Sequence, residues 1–229
     1  MREMALAIVQ FLFVAMGWVR WEDPMLTPEM SSEYERMFAS CNTNMNRRPE
    51  ADEIITRMMK FRDRYEAVSR PTGVPWYVIA TIHNMECDGR FDCHLHNGDP
   101  LTARTVDVPA GRPISGNPPF TWEESAIDAL RFEGFDVMRN WDVAHTLYKI
   151  EAYNGFGSRQ HGVPTPYLWA GSQHYVRGKF VADHQFDPHA VSEEIGAAVL
   201  LHRMSYEHLI DFPPGTAPAA PAAPSGGQQ

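Results

Sequence analysis

The chain has 229 residues, of which 44% are hydrophobic, and a formal net charge of −9 from 20 basic and 29 acidic residues. This length suits one domain with appendages, or at most two domains, and the hydrophobic content is typical of a globular fold rather than of disorder. The basic residues form no extended run, whereas nucleic-acid binding normally needs a basic face that neutralises phosphates. The composition therefore argues against a nucleic-acid partner.

The one strongly apolar stretch of the sequence lies at the N-terminus, over residues 4–19. It is shorter than the roughly 20 residues that a membrane-spanning helix needs, and it suits the apolar core of about 7–15 residues in a signal peptide. We predict that residues 1–20 are a signal peptide or a retained signal anchor. This implies export to the periplasm or cell wall, with membrane contact through residues 4–19. A buried N-terminal helix is the alternative interpretation.

Composition and periodicity set the predicted domain boundaries. The segment after the apolar stretch is rich in Pro, Ser and Asn, which predicts a linker with at most a short helix around Glu33 to Phe38. Apolar residues then recur at helical spacing from Ile54 to Val68, which predicts one amphipathic helix over residues 51–69 that Pro71 ends. The predicted linker, folded domain and disordered Pro/Ala-rich tail cover residues 21–50, 51–211 and 212–229.

A largely apolar helix that begins at Pro75 carries a single acidic residue, Glu86, near its end. Ile79, His83 and Glu86 are spaced i, i+4 and i+7, so they share one helical face. If that face meets the core, burial and the unpaired carbonyl groups at the helix end both disfavour the carboxylate. The pKa of Glu86 would then be raised, as a general acid near neutral pH requires. The alternative is a solvated glutamate at a helix end.

Cysteine and histidine residues follow Glu86 closely. Cys87 and Cys93 bracket a short segment and, in an exported protein, could close a small loop beside Glu86. Together with His94 and His96 they also offer four metal ligands, but their spacing matches no common zinc motif. In an extended segment these two histidines would face opposite sides. We therefore predict no metal and no other cofactor.

The second half of the chain contains further helix signals. Thr121 and Glu124 match a capping box that opens a helix. Another helix begins near Asp142 and ends at Asn154 and Gly155, two residue types that tolerate the left-handed conformation. With no internal repeat and no convincing series of strands, the sequence predicts a mainly α fold. We also expect a last helix and a small hairpin or extended pair, over residues 188–209 and 95–108, respectively.

Several of these segments together resemble a known superfamily. A Gly-Val-Pro start, an apolar helix, a Glu near its end and the later Ala-Tyr-Asn-Gly at 152–155 resemble the lytic transglycosylase and goose-type lysozyme superfamily. The segments HNGDPLTARTV, GRP, PPFTWEESAIDAL, YNGFG, PYLW and GAAVLL are similar to a bacterial and phage group described as lysozyme family proteins. The similarity runs from about Asp52 to Met204. It implies a lysozyme-like helical domain with a small extended or β-hairpin segment beside the catalytic helix.

The resemblance also implies roles for individual residues. Glu86 would be the general acid, Tyr153 would reach toward it and the sugar, and Asn154 would fix the turn or bind an N-acetyl group. The loop after the catalytic helix, rich in turn-forming and hydrogen-bonding residues, is expected to line a cleft. The aromatic residues of PYLW could either stack on pyranose rings or pack in the core, and the resemblance favours a cleft wall formed by their ring faces. The substrate-binding candidates in these two segments are His96, Asn97, Thr102, Tyr167 and Trp169.

These features predict a monomeric enzyme that cleaves peptidoglycan glycan strands between N-acetylmuramic acid and N-acetylglucosamine. A lytic transglycosylase would use Glu86 first as acid and then as base, whereas an inverting hydrolase needs a second carboxylate about 6.5–9.5 Å away. Asp99 is the preferred second carboxylate because the turn before it could direct it across the cleft, and Asp88 and Asp92 are alternatives. A chitinase-like glycosidase and a non-catalytic glycan-binding protein of the same fold stay open as other functions.

Overall fold

The computed structural model describes residues 25–182 and 184–215. The predicted signal peptide or anchor and most of the predicted tail lie outside these residues. Within them the chain is mainly α, as predicted, with nine α-helices and one two-stranded antiparallel sheet. No helix in this part of the chain is both long and apolar enough to cross a membrane.

The elements are numbered in chain order. The helices are α1 Pro28–Ala39, α2 Arg48–Lys60, α3 Arg62–Thr72, α4 Trp76–Cys87, α5 Trp122–Phe132, α6 Val143–Asn154, α7 Gly157–Gln160, α8 Pro166–Trp169 and α9 Ala197–Tyr206. A 3-10 turn, Met45–Arg47, lies between α1 and α2. The strands are β1 Lys179–Ala182 and β2 Gln185–Asp187.

Helix α4 lies at the centre of the fold. Its residues Val78, Ile79 and Ile82 are fully buried, and so are most of their neighbours along the helix. Helices α2, α3, α6 and α9 all pack against α4. A helix without a polar face is stable in water only when other elements cover it in this way. The packing therefore places Glu86 at the end of a helix that the rest of the domain surrounds.

Two helices begin and end where local sequence signals predict. The side chain of Thr121 accepts a hydrogen bond from the N–H of Glu124, whose carboxylate accepts one from the N–H of Thr121, so a capping box opens α5. The carboxylate of Asp142 accepts a hydrogen bond of 2.9 Å from the N–H of His145 at the start of α6. Gly155, with a φ of 90°, ends that helix.

Residues 25–50 are not a linker, because α1 is part of the core. The side chain of Thr27 caps α1 by accepting a hydrogen bond from the N–H of Met30, and Pro28 occupies the first helical position. Helix α1 packs on α6 and buries Tyr34 and Phe38. The prediction was wrong for these residues because Pro and Ser, which are typical of loops, stand here in the first turns of a helix.

Two predicted helices have different boundaries in the structure. The amphipathic stretch 51–69 forms two helices, α2 and α3, which meet at Phe61. The last helix begins at Ala197 instead of near residue 188, because β2 and an irregular segment precede it. Val191, which lies within the predicted range of that helix, is outside the observed helix and exposed.

The small sheet does not lie where a hairpin was expected. Strands β1 and β2 pair antiparallel, with Phe180 opposite Phe186. Residues 95–108 instead form turns, and one isolated bridge joins Cys93 to Pro100 at their start. The expected hairpin beside α4 is therefore wrong, since hydrogen bonds to side chains such as that of Asp99 hold this loop in place of a strand ladder.

Candidate active site

Glu86 is the next-to-last residue of α4, and its side chain is partly buried. The helix ends because Asp88 adopts a left-handed conformation, with φ 51°, and its N–H bonds back to the carbonyl group of Asn84 at 3.0 Å. Asp and Asn are the non-glycine residues that tolerate this conformation best. The carboxyl group of Glu86 therefore lies at a helix C-terminus, where the helix dipole disfavours negative charge.

A tyrosine from α8 contacts this carboxyl group directly. The hydroxyl group of Tyr167 donates a hydrogen bond of 2.8 Å to Oε1 of Glu86. Tyr167 is itself buried, with 5% of its surface exposed. Burial and the charge of Glu86 keep the pKa of Tyr167 well above its ordinary value, so its phenol stays neutral. Helix α8 thus supplies a fixed donor to one oxygen of Glu86.

The pKa of Glu86 is raised to about 8, chiefly because burial disfavours the charged form. The negative charges of Glu194 and Glu133 act in the same direction, whereas the hydrogen bond from Tyr167 acts against it. The carboxyl group is consequently protonated at neutral pH. Ile79 and His83, which share one helical face with Glu86, are fully buried.

His83 does not join Glu86 as a second proton-transfer group. Its Nδ1 lies 3.0 Å from the hydroxyl group of Tyr65, and its Nε2 lies 2.6 Å from the carbonyl oxygen of Arg90. Burial lowers the pKa of His83 to about 4. The imidazole is therefore neutral and is part of the core that packs around α4.

Tyr153 and Asn154 end α6, and Tyr153 lies on the Glu86 side. Burial, and after it the charge of Glu86, raises the pKa of Tyr153 well above its ordinary value. The hydroxyl group of Tyr153 donates a hydrogen bond of 2.6 Å to the carbonyl oxygen of Leu95. Tyr153 thus holds the loop that follows α4, while Asn154 is partly buried in the last helical turn.

The loop residues predicted to bind substrate differ in their exposure. His96 is buried, with its Nε2 2.9 Å from a carboxylate oxygen of Asp128 on α5. Asn97 is partly buried, and its side-chain amide donates to Asp99 and to the carbonyl oxygen of Asp107. Thr102 is exposed. Asn97 and His96 therefore have internal partners that account for their positions.

Asp99 organises its own loop. Its Oδ2 accepts hydrogen bonds from the side-chain amide of Asn97 at 3.0 Å and from the backbone N–H groups of Val106 and Asp107 at 2.7 and 3.2 Å. A carboxylate oxygen with three donors is held in place by them and cannot turn toward another group without breaking these bonds. This arrangement gives Asp99 a structural role that its sequence position did not reveal.

The aromatic residues of PYLW are part of the core and not an exposed wall. Tyr167 and Trp169 are 5% and 2% exposed, and Tyr175, farther along the chain, is also buried. Their ring faces are therefore covered, so the prediction that Tyr167 and Trp169 stack on sugar rings is wrong. Turn residues on both sides of these aromatics suggested exposure, but close packing of α8 on α9 buries them.

Two acidic neighbours of Glu86 were not found from the sequence. Glu133 follows α5, and Glu194 precedes α9, and both carboxylates act electrostatically on Glu86. Burial raises the pKa of Glu194, an effect that the charge of Lys179 opposes. Both residues are far from Glu86 in sequence, and neither lies in a recognisable motif. No local signal therefore pointed to them.

Glu151, a buried acidic residue of α6, belongs to a structural network. Its Oε2 accepts a hydrogen bond of 2.6 Å from the hydroxyl group of Tyr34 on α1. Its two oxygens also accept from Arg159, at 2.9 and 3.0 Å, and Arg159 pairs in turn with Glu33 at 3.2 Å. This buried, fully paired carboxylate ties α1 to α6 and α7.

Histidine, cysteine, aspartate and glutamate side chains form no group arranged to hold a metal ion within residues 25–182 and 184–215. An extended segment would direct His94 and His96 to opposite sides, and this expectation is wrong. The two residues lie in a turn, and their ring centroids are 5.8 Å apart. The ring of His94 is held by Ser125 and by the carbonyl group of Ala103, both at 2.8 Å. These partners account for the histidine ring within the core.

Comparisons with known proteins assign no family to this chain. No family model, no curated protein and no solved structure matches it. The fold and the site define a mainly helical protein with a protonated, partly buried glutamate at the end of its central helix.

Proposed function

We propose that the protein is a glycosidase that cleaves peptidoglycan glycan strands, with Glu86 as the general acid. The observation that carries this proposal is the position of Glu86, at the end of the buried helix α4 with the hydroxyl group of Tyr167 2.8 Å from its Oε1. Burial there raises the pKa of Glu86 to about 8. A carboxyl group that is protonated at neutral pH can donate its proton to a glycosidic oxygen. The choice of peptidoglycan as the substrate rests on the short motifs between Asp52 and Met204 that resemble lysozyme family proteins.

The hydrogen bond from Tyr167 suits both halves of such a reaction. Proton donation by Glu86 accompanies cleavage of the bond between the muramyl C1 atom and the glycosidic oxygen, and the leaving sugar keeps the proton. Glu86 is then a carboxylate, which the phenol of Tyr167 stabilises through the bond of 2.8 Å. In the transglycosylase route this carboxylate accepts the proton of the muramyl 6-hydroxyl group while the oxygen of that hydroxyl group forms a bond to C1. The product is a 1,6-anhydro sugar, and Glu86 is protonated again.

A hydrolase route needs a second carboxylate to activate water. Three donors occupy Oδ2 of Asp99, whereas Glu194 acts electrostatically on Glu86 and has a pKa that burial raises. Within the proposal, the base of the hydrolase route is therefore Glu194 and not Asp99.

The test is mass spectrometry of muropeptides released from purified peptidoglycan by the full chain, with Glu86→Gln, Glu194→Gln and Asp99→Asn alongside. Glu86→Gln keeps the shape of the side chain and removes the proton, so it should abolish release. Asp99→Asn keeps an oxygen acceptor for the loop donors and should retain release. Anhydromuramyl products that persist in Glu194→Gln indicate a transglycosylase, and reducing-end products lost in that variant indicate a hydrolase.

The substrate is tested in parallel with chitin oligomers. The net charge of −9 gives no attraction to an anionic wall, which is the reason to test a neutral glycan as well. Cleavage of chitin oligomers and not of peptidoglycan would identify a neutral glycan as the substrate. Release from neither polymer, by a chain that is folded by circular dichroism, would contradict the enzymatic proposal.

A further inference from the structure

The chain has three cysteines, and the structure contains all three as buried free thiols. Cys87 and Cys93 share a hydrogen bond between their thiol groups. Cys41 lies apart from this pair and has the side chain of Ser172 as its neighbour. The fold thus divides the cysteines into one pair in contact and one separate thiol.

The end of α4 brings the pair together. Cys87 is the last residue of the helix, and Asp88 and Gly89 follow it in left-handed conformations, with φ of 51° and 66°. The chain reverses there, so the Sγ atom of Cys87 comes within 3.5 Å of the carbonyl oxygen of His94. The Sγ atom of Cys93 lies 3.4 Å from the carbonyl oxygen of Arg90. The thiol of Cys87 therefore contacts the backbone next to Cys93, and the thiol of Cys93 contacts the middle of the segment that joins the two residues.

Two contacts hold the backbone of the loop that joins Cys87 to Cys93. An isolated bridge pairs Cys93 with Pro100, and Nε2 of the buried His83 lies 2.6 Å from the carbonyl oxygen of Arg90. Between the cysteines, Asp88, Arg90 and Asp92 are exposed. The backbone is therefore held at Arg90 and at Cys93, while three side chains between the cysteines are exposed. Local opening of this short loop gives an oxidant access to the thiols.

The two thiols differ in acidity. The hydrogen bond from Cys87 lowers the pKa of Cys93, and the positive charge of Arg90 acts in the same direction against burial. The same hydrogen bond and burial raise the pKa of Cys87. Since the thiolate is the attacking species in thiol–disulfide exchange, Cys93 is the sulfur that reacts first.

We propose that Cys87 and Cys93 are a redox-active dithiol that forms a reversible intramolecular disulfide by exchange with a disulfide-bearing oxidant. The Cys93 thiolate attacks one sulfur of the oxidant, breaks its S–S bond and releases one thiol. The Cys87 thiolate then attacks the mixed disulfide at Cys93 and releases the second thiol. The protein loses two electrons and two protons, the oxidant gains them, and one S–S bond forms between the two residues.

The consequence concerns the end of α4. Cys87 directly follows Glu86, so the disulfide joins the turn that carries the carboxyl group to the start of the next loop. This closes the chain over residues 87–93 and restricts opening of that turn. The proposal concerns the thiols alone and holds whether or not the protein is a glycosidase.

The experiment uses the full chain, reduced and then incubated with oxidised glutathione. Remaining thiols are alkylated in denaturant and counted by intact mass. Wild type should fall from three alkylated thiols to one, and Cys41→Ser, the matched control, should fall from two to none. Trypsin cleaves after Arg90 and should yield residues 65–90 and 91–104 joined only by the disulfide. Cys87→Ser should instead retain glutathione on Cys93.

Three results would overturn the proposal. One is a native chain that keeps three reactive thiols while the denatured chain is oxidised under the same conditions. Another is a disulfide that includes Cys41. The third is a wild-type chain in which each of the two thiols carries its own glutathione. Because the count for wild type needs no substitution, the outcome does not depend on whether a serine variant folds.

Discussion

The hydroxyl oxygen of Tyr167 lies 2.8 Å from Oε1 of Glu86, so a residue of α8 donates directly to the only acidic side chain of α4. The donor favours the charged form of a carboxyl group that burial keeps neutral. The two effects oppose one another, and the balance leaves a proton that is held at neutral pH and released in the alkaline range.

Replacing Tyr167 by Phe should raise the pKa of Glu86 by about one unit, since a hydrogen bond to the charged form is lost. In a pH series, the alkaline limb of the activity should move to higher pH. The same shift should be visible without activity in a carbon NMR titration of the Glu86 carboxyl group. Tyr206→Phe, at an exposed position of α9, is the control and should leave the titration unchanged. An unchanged or lowered pKa in Tyr167→Phe would contradict the role of this donor.

Glu86→Gln should stabilise the native state at alkaline pH. The pKa of Glu86 is raised from the ordinary 4.5 to about 8 on folding, so the folded state prefers the protonated form. The wild type therefore loses stability as pH rises from about 4.5 to about 8, whereas the Gln variant carries no such charge. The difference in the free energy of unfolding should be near zero at pH 4 and on the order of a few kcal/mol at pH 9.

Urea unfolding of both proteins across this pH range measures that difference. Glu53→Gln, an exposed position on α2, serves as the control and should change stability little throughout. If the difference in the free energy of unfolding between the Gln variant and wild type were the same at pH 4 and pH 9, Glu86 would not be buried as described.

Tyr34→Phe should destabilise the protein by about 1–3 kcal/mol, because it leaves the buried carboxylate of Glu151 without one of its donors. The bond that is lost measures 2.6 Å and joins α1 to α6. Thermal unfolding gives the change, and Tyr206→Phe is again the matched exposed control. Equal melting temperatures for the two variants would argue against the network as a source of stability.

A chain that begins at Arg48 should fail to unfold cooperatively, whereas one that begins at Met25 should behave as the full chain does. The shorter chain lacks α1, including Tyr34 and Phe38, and exposes the surface of α6 that they cover. Circular dichroism on heating distinguishes the two. A cooperative transition of the shorter chain at the full-chain temperature would mean that α1 is dispensable.

Gly196→Ala should destabilise the protein by about 1–3 kcal/mol through overpacking. A Cβ atom at this position would lie 2.4 Å from the carbonyl group of Leu168 and 2.7 Å from the backbone nitrogen of Trp169. Because backbone atoms cannot move aside easily, α8 and its Tyr167 must shift. Gly215→Ala, whose Cβ atom would come no closer than 3.4 Å to the flexible side chain of Glu35, is the control. Melting temperature and the pKa of Glu86 should change in the first variant only.

The elements that sequence predicts well are those with complete local signals. Helices α5 and α6 carry their caps in adjacent residues, and the structure confirms the capping box at Thr121 and the end of α6 at Gly155. Helix α1 has an equally local signal in Thr27 and Pro28, but the Pro, Ser and Asn content of the segment around it predicts a linker. The start of α9 had none, since Gly196 is set by contact with α8 and not by its neighbours in sequence.

The sequence by itself determined that Glu86 ends a predominantly apolar helix and that the fold is mainly α, because helical periodicity and capping act over a few residues. Only the tertiary structure decided what surrounds that carboxyl group. Tyr167, expected on an exposed wall, is its buried donor, and Glu194 is its acidic neighbour, while Asp99 is occupied by its own loop. Burial and the distances between charges arise from elements that are remote in the chain, and a pKa depends on both.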